Sequence, residues 1–355
     1  MPDETSNYIA MRTYSLMMLA NILTCTATLA GTQPPSAQQQ NPLLHGSLTL
    51  QWENDFFGGG TDRDYTNGLQ LSWVSGDLKT NGKLPKGVSL ITSLFPGRES
   101  EGDVYRARFL MGQSMFTPSN TSLVTPDPND RPYAGWLYGG AGIGRYNDDT
   151  VDILQLNIGM VGPASQAEET QKLVHDLLAT TDPMGWDSQL SNELAFVLSY
   201  QKRWLWNGKI SENFDWDLST GPGLVVGTVY DYINATGTLR FGYNLPDTLP
   251  IESIGAGRSL GEALRDEDSA SGSFSIYGIL GFDGRAIARN LFLDGNTFKS
   301  SPSVDKEYLV GEFHGGAGLS YNNFSLKYLI TLRSREFKHQ DAPQWFGNIT
   351  ASFEF

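Results

Sequence analysis

Cysteine is almost missing from this 355-residue chain, and the one copy, Cys25, sits inside an amino-terminal apolar stretch. Without that stretch the chain has no thiol, which excludes disulfides, cysteine-based zinc sites and cysteine nucleophiles and suits an oxidising compartment. Basic residues are scarce as well, 25 Lys and Arg against 39 Asp and Glu, for a formal charge of -14. That balance argues against nucleic acid, which recruits basic surfaces. It does not argue against a phosphorylated lipid, because divalent cations bridge two anions. Beyond the amino terminus no run approaches the ~20 apolar residues of a spanning helix. The Gly-Xaa-Gly occurrences, such as Gly316-Ala317-Gly318, lie in strand context and not before a helix, so a nucleotide loop is unsupported.

The amino terminus reads as a secretory signal. Met11 and Arg12 precede the apolar run from Leu16 to Leu23, and the small-residue tail from Thr26 to Ala30 follows. Residues 1–30 are therefore expected to be removed after Ala30. The acidic segment Met1 to Ala10 does not fit a positively charged leader, which points to Met11 as the true start. Thr24 is a poor residue before a lipid-modified cysteine, so Cys25 does not read as a lipoprotein anchor. Residues 31–45, with the Pro/Gln/Ser-rich stretch Gln33 to Gln40, read as a periplasmic linker.

What the chain does have is glycine, 39 residues of it, 12% aromatics, and a strict two-residue rhythm. Ile349, Ala351, Phe353 and Phe355 alternate with Asn348, Thr350, Ser352 and Glu354. A terminal strand with one apolar and one polar side, ending on Phe, is the pattern of a closing strand in an outer-membrane β-barrel. A mean hydropathy of -0.29 is what alternation gives when half of each strand faces a polar lumen. Strands are expected at 47–53, 65–74, 104–114, 134–145, 151–161, 192–204, 214–224, 234–244, 272–290, 308–320, 323–335 and 346–355. Twelve is even, so 46–355 reads as one transmembrane antiparallel barrel, integral to the outer membrane, with both ends periplasmic. Such a barrel is a client of the barrel assembly machinery during biogenesis.

The parity places 56–64, 115–133, 162–191, 225–233, 291–307 and 336–345 outside the cell. Ala164 to Thr180 carries helical spacing at Leu173, Val174, Leu177 and Leu178, with Gln171, His175 and Asp176 among them, which predicts a short helix in an extracellular loop. The stretches 77–103 and 245–270 are unusually long for inner turns, with room for short helices.

A set of collinear blocks then narrows the reading. They are Glu53-Asn54-Asp55, Asp64-Tyr65-Thr66-Asn67-Gly68-Leu69, Gly112-Gln113 with Thr117-Pro118, Asp130-Arg131-Pro132-Tyr133, Gln171 with His175, Gly185-Trp186-Asp187 with Gln189-Leu190, and Arg335-Glu336-Phe337 with Gln340. In this order they resemble the lipid A 3'-O-deacylase (LpxR-like) family over nearly the whole mature chain. The resemblance implies an outer-membrane esterase that removes the 3'-O-linked acyloxyacyl chain of lipid A, with lipopolysaccharide and outer-membrane lipids as partners. It also implies a histidine that activates water, here His175, and a Ca2+ ion that stabilises the oxyanion.

By the same blocks Asn54, Asp55, Thr66 and Gln171 belong to the active site, with Asp55 and Thr66 as metal ligands. Imidazole, with an unperturbed pKa of ~6.5, suits proton abstraction from water, although a lone loop histidine is also simply solvated. Asn54 and Asp55 offer hard oxygens of the type calcium prefers. On the residues alone they also read as a turn before Gly58, and Thr66 as an ordinary strand residue. Gln113 and Gln171 would orient water or substrate, or form a satisfied polar pair in the lumen. Some family members carry a lysine in the loop after the Thr/Ser-Pro block and an acidic residue six after the histidine. Here 115–133 has Arg131 as its one cation, a candidate for binding substrate, and Thr181 stands in the second place, beside Asp182. His339 at the outer rim is a second candidate base, whereas His45 at the inner rim and His314 in mid-strand are far from the site. An outer-membrane glycerophospholipase and a non-catalytic porin or structural barrel are the competing readings.

Overall fold

The computed structural model describes residues 42, 45–59, 63–79, 83–97, 99–100, 102–178, 181–249, 253–254 and 274–355. The expected signal peptide and almost all of the linker lie outside these residues. Alternation of apolar and polar side chains closes the rest into one barrel. Its strands are β1 (Gly46–Asn54), β2 (Asp64–Ser75), β3 (Val104–Thr117), β4 (Ala134–Tyr146), β5 (Thr150–Val161), β6 (Glu193–Ser211), β7 (Phe214–Gly227), β8 (Tyr230–Tyr243), β9 (Phe274–Asn290), β10 (Leu309–Tyr321), β11 (Phe324–Arg333) and β12 (Gln344–Glu354). Each strand pairs with its sequence neighbours and β1 pairs antiparallel with β12, from Ser47 opposite Glu354 to Asn54 opposite Gly347. At the seam Gly46 N–H donates to the Phe355 carbonyl at 2.9 Å, and Phe355 N–H returns to Gly46 at 3.0 Å. Both ends of the barrel therefore share one rim.

All twelve expected strands are present. The largest difference is β6, which runs on to Ser211 because the alternation of Trp204 and Trp206 continues into its hairpin with β7. Among the described residues no helix is long and apolar enough to cross a membrane. Three short helices are described: α1 (Lys86–Thr92), α2 (Ala167–Leu178) and α3 (Leu291–Asp294). The expected helix in the 162–191 loop is α2. Glu168 and Glu169 in its first turn complement the positive end of the helix dipole, and Lys172 pairs with Glu168 at 2.6 Å.

The two faces of the wall meet different surroundings. Leu48, Leu69, Leu71, Phe109, Met111, Leu156, Ile158 and Leu198 are exposed on the outside, an apolar belt for lipid. Inside, polar side chains pack against one another. Glu53 accepts from Tyr65 Oη at 2.7 Å and Asn348 Nδ2 at 3.0 Å. Glu312 is clamped between Arg285 at 2.7 Å and Arg333 at 2.6 Å, and Arg285 also meets Asp283 at 2.6 Å. Buried charges persist when paired in this way, and the described part of the lumen is a packed polar core, not a wide aqueous channel.

The connection after β8 does not stay at the rim. Thr248 holds Arg240, Leu249 is buried with Val74 and Tyr146, and Ile254 is buried in the cluster that contains Tyr65. Ser253 Oγ donates to Glu53 at 3.1 Å, so the described residues of this connection lie inside the barrel. The described residues of the 77–103 connection do the opposite: Leu78, Leu84, Val88 and Phe95 pack on the outside wall, with α1 among them.

Candidate active site

Strand parity decides which side of the wall each expected residue serves. Asn54 continues the outward row of Leu48, Leu50 and Trp52, Asn67 continues that of Leu69, Leu71 and Trp73, and Gln113 and Thr117 continue that of Phe109 and Met111. These polar side chains therefore top the apolar belt on the outside of the barrel. Asn67 ties two of them together: its Oδ1 accepts from Trp52 Nε1 at 2.7 Å and from Asn54 Nδ2 at 3.3 Å. Thr66 joins through a β-bulge, where the β2–β3 register shifts between Tyr65 and Asn67. The extra residue lets Tyr65 turn into the lumen while the Thr66 hydroxyl meets that of Thr117 at 2.6 Å.

Two overhangs flank this patch. On one side the 3-10 turn Asp55–Phe57 is capped by Asn54, whose Oδ1 accepts from Phe56 N–H. The turn folds back on the outer wall, where Tyr328 Oη donates to the Phe57 carbonyl at 2.7 Å. Gly347 permits the contact, since a Cβ there would come within 2.5 Å of Phe57 Cβ. Asp55 is buried, and its Oδ2 accepts from Arg63 N–H at 2.7 Å.

On the other side lies α2. Its approach depends on Gly135, where a Cβ would stand 2.2 Å from Ser165 Oγ and 2.3 Å from Ala167 Cβ. Ala167 packs with Met115, Tyr133 and Trp186. Gln113 Nε2 donates to the Ser165 carbonyl at 2.7 Å, which fixes the turn that leads into the helix. Gln171 is buried and accepts from Trp186 Nε1 at 2.8 Å. Ala167, Gln171 and His175 recur every four residues, so His175 shares the face of α2 that turns toward the wall. Its Nδ1 lies 2.7 Å from the Thr181 carbonyl oxygen. A carbonyl only accepts, so this contact requires the proton on Nδ1 and makes Nε2 the basic nitrogen.

Asn54, Asp55, Thr66 and Gln113 thus gather on β1–β3 with the adjoining turn, and Gln171 and His175 stand on the helix beside them. Gln113 and Gln171 do not pair in the lumen; each holds a neighbouring segment in place. Arg131 goes elsewhere. Fully buried, it meets Glu336 at 3.1 Å and Asp64 at 3.9 Å and lies over Phe116, whose ring stacks on Phe292 inside the barrel. Burial alone would raise the Glu336 carboxyl, but Arg333 and Arg131 together hold it below its ordinary value. Arg131 therefore belongs to the outer cap of the lumen and is not brought to the outer-wall patch. His339 is exposed in the β11–β12 loop that carries Glu336, and His314 faces the lumen.

Asn67, Thr117 and the Thr181 carbonyl are additions that the sequence reading missed. Counting parity from Leu69 and Met111 would have placed the first two, but a backbone acceptor leaves no mark in a sequence. The sequence Gly257-Arg258-Ser259-Leu260-Gly261 has the spacing of a serine-hydrolase elbow. That elbow needs a strand-to-helix turn of an α/β sheet, which an antiparallel barrel does not supply, and the segment lies outside the described residues.

The Asp55 carboxylate, the Thr66 hydroxyl and the Asn54 amide are all hard oxygens, which fits calcium in ligand type. Among the described residues no group of three or more His, Cys, Asp or Glu could hold a metal ion. A calcium ion here would therefore rest on one carboxylate, with hydroxyl, carbonyl and water oxygens around it.

The family model described as outer membrane protein LpxR matches residues 18–355. Among solved structures, LpxR from Salmonella typhimurium aligns with 87% of this chain and 100% of its own at 18% identity and a TM-score of 0.66. The β domain of the Bordetella autotransporter BrkA aligns with 88% of this chain and 99% of its own at 10% identity and a TM-score of 0.41. No curated protein sequence matches the chain.

Proposed function

Because the chain belongs to the LpxR family of outer membrane proteins, we propose that it is an outer-membrane esterase that hydrolyses the 3'-O-linked acyloxyacyl chain of lipid A. One observation carries the reading. Asn54, Asn67 and Gln113 form a half-buried polar patch on the outer side of the wall, with the buried Thr66–Thr117 hydroxyl pair beside them, directly above exposed Leu69, Leu71 and Met111 and between the overhangs of Asp55–Phe57 and α2. A lipid lying against the barrel with its acyl chains in the apolar belt would bring its ester to that height. A water-soluble substrate would need no such belt.

In this reading His175 Nε2 takes a proton from water, and the hydroxide attacks the ester carbonyl. The Thr181 carbonyl keeps the imidazole in the required tautomer and stabilises the imidazolium formed in the step. His175 then returns the proton to the departing sugar hydroxyl, which releases a free acyloxyacyl acid and lipid A with that hydroxyl restored. Gln113 and Gln171 hold the Ser165 turn and Trp186, and so keep α2 over the wall. A calcium ion held by Asp55 and Thr66 would supply Lewis-acid stabilisation of the oxyanion. The rim that carries this patch is read as extracellular and the seam of Gly46 and Phe355 as periplasmic.

The test uses purified protein in detergent with lipid A or a diacyl glycerophospholipid as separate substrates. Release of the acyloxyacyl acid from lipid A alone is the expected result. Release from the glycerophospholipid alone would replace this reading with a phospholipase. No release from either, together with ion conduction in planar bilayers, would favour the porin reading, which the packed lumen opposes.

A further inference from the structure

At the opposite rim the 77–103 connection lays a strap on the outside of the barrel. Leu78, Leu84, Val88 and Phe95 pack on Tyr105, Ala107, Ile143, Leu154 and Tyr200, all of them outward positions of β3–β6. Beneath the strap the wall carries charge: Asp152 accepts from Arg145 at 2.6 Å, Tyr200 at 2.5 Å and Lys202 at 3.3 Å, while Arg145 also donates to the Pro96 carbonyl at 2.7 Å. Helix α1 and the turn after it are apolar on the other side too, with Leu90 and Ile91 of the helix at 74% and 39% exposure and Leu94 of the turn at 71%. A helix with apolar residues on both faces belongs in an apolar medium.

Its hydroxyls agree with that medium. Ser89 donates to Lys86 O at 2.9 Å, Thr92 to Ser89 O at 3.2 Å and Ser93 to Leu90 O at 2.7 Å. Each is satisfied by the helix itself, as a hydroxyl in lipid must be. Height identifies which interface. From Ala107 beneath the strap to Thr117 at the catalytic patch, β3 climbs about 33 Å at ~3.3 Å per residue. At a tilt near ~40° this is about 25 Å along the membrane normal, the height of the apolar band. The strap and the ester site thus lie at opposite interfaces. Lys83 and Lys86 are exposed at the start of α1, which has no acidic residue in its first turn.

We propose that α1 is an interfacial anchor embedded in the leaflet opposite the catalytic rim. Leu90, Ile91 and Leu94 enter the acyl chains of glycerophospholipids there, and Lys83 and Lys86 meet their phosphates. By seating the barrel at that interface, the anchor holds the catalytic patch one bilayer thickness away. Naming that leaflet as periplasmic rests on the topology proposed above, whereas embedding does not.

The test is spin-label accessibility in full-length protein reconstituted into phosphatidylethanolamine–phosphatidylglycerol vesicles. Nitroxides are placed singly at Leu90→Cys and Leu94→Cys, with Leu156→Cys in the apolar belt and Asn129→Cys in an exposed loop as references. The ratio of oxygen to water-soluble nickel accessibility at Leu90 and Leu94 should be several-fold above that at Asn129 and approach that at Leu156, with Lys83→Cys lower than both. Ratios at Leu90 and Leu94 equal to that at Asn129, in protein whose Leu156 label reads as lipid-buried, would overturn the anchor. Failure of the proposed topology or of ester hydrolysis would leave these ratios unchanged and would register only in whole-cell labelling or lipid A turnover.

Discussion

His175 Nδ1 sits 2.7 Å from the main-chain carbonyl of Thr181, six residues on and just beyond the end of α2. The imidazole is thus oriented by a backbone acceptor. Its orienting group is neutral and independent of the Thr181 side chain. His175→Ala should therefore lower deacylation by ~100-fold to 10,000-fold, while Thr181→Ala stays near the parent rate. Heat-modifiable migration on gels would show that both barrels are folded. An equal loss in Thr181→Ala would move the orienting role from the carbonyl to the hydroxyl.

Thr66 and Thr117 share one hydroxyl contact at 2.6 Å on the outer wall. Thr66→Val removes a proposed calcium ligand and should raise the calcium concentration needed for half-maximal activity. Thr117→Val removes only its partner, and the loss should be smaller, of order 1 kcal/mol or about fivefold. A chelator should abolish activity in the parent and calcium should restore it. Full activity of metal-free protein, or rescue by zinc and never by calcium, would contradict the proposed ligand chemistry.

Gly135 lets α2 reach the wall. In Gly135→Val the new Cβ falls 2.2 Å from Ser165 Oγ and 2.3 Å from Ala167 Cβ. The helix has to move, because the β4 backbone is held by β3 and β5 on either side. Deacylation should drop by more than tenfold, since misplacement by about 1 Å costs ~100-fold. The thermal transition of the barrel should change little. Parent-like activity would detach the helix from the chemistry.

Topology is tested on whole cells with an impermeant thiol reagent. Cysteines at Gln166 and Phe298 lie on the rim that carries α2 and the polar patch and should react, while one at Glu212, in the β6–β7 hairpin at the other rim, should not. The reverse pattern would invert the orientation.

Much of this was legible in advance because a barrel strand writes its two environments into alternate residues. Leu48, Leu50 and Trp52 against Ser47, Thr49 and Gln51 locate β1 and its lipid face without further help. The helix at 167–178 was legible for the same reason, as its period differs from the strands around it. Arg131 was not legible. It stands in the loop that leads to the patch, but the pull of Glu336, more than two hundred residues away, draws it into the lumen. The strap on the outer wall was equally hidden, because a long inner connection carries no pattern that says which side of the barrel it will cover. The bulge at Thr66 was missed because one extra residue reverses the parity of everything before it.

The most direct test of the central claim is mass spectrometry of lipid A from cells that express the parent protein or His175→Ala at equal outer-membrane levels. The parent should convert lipid A to a species lighter by the 3'-acyloxyacyl chain, and His175→Ala should leave it intact. Unchanged lipid A in cells with the folded parent protein, or the same loss of mass in His175→Ala, would contradict the account.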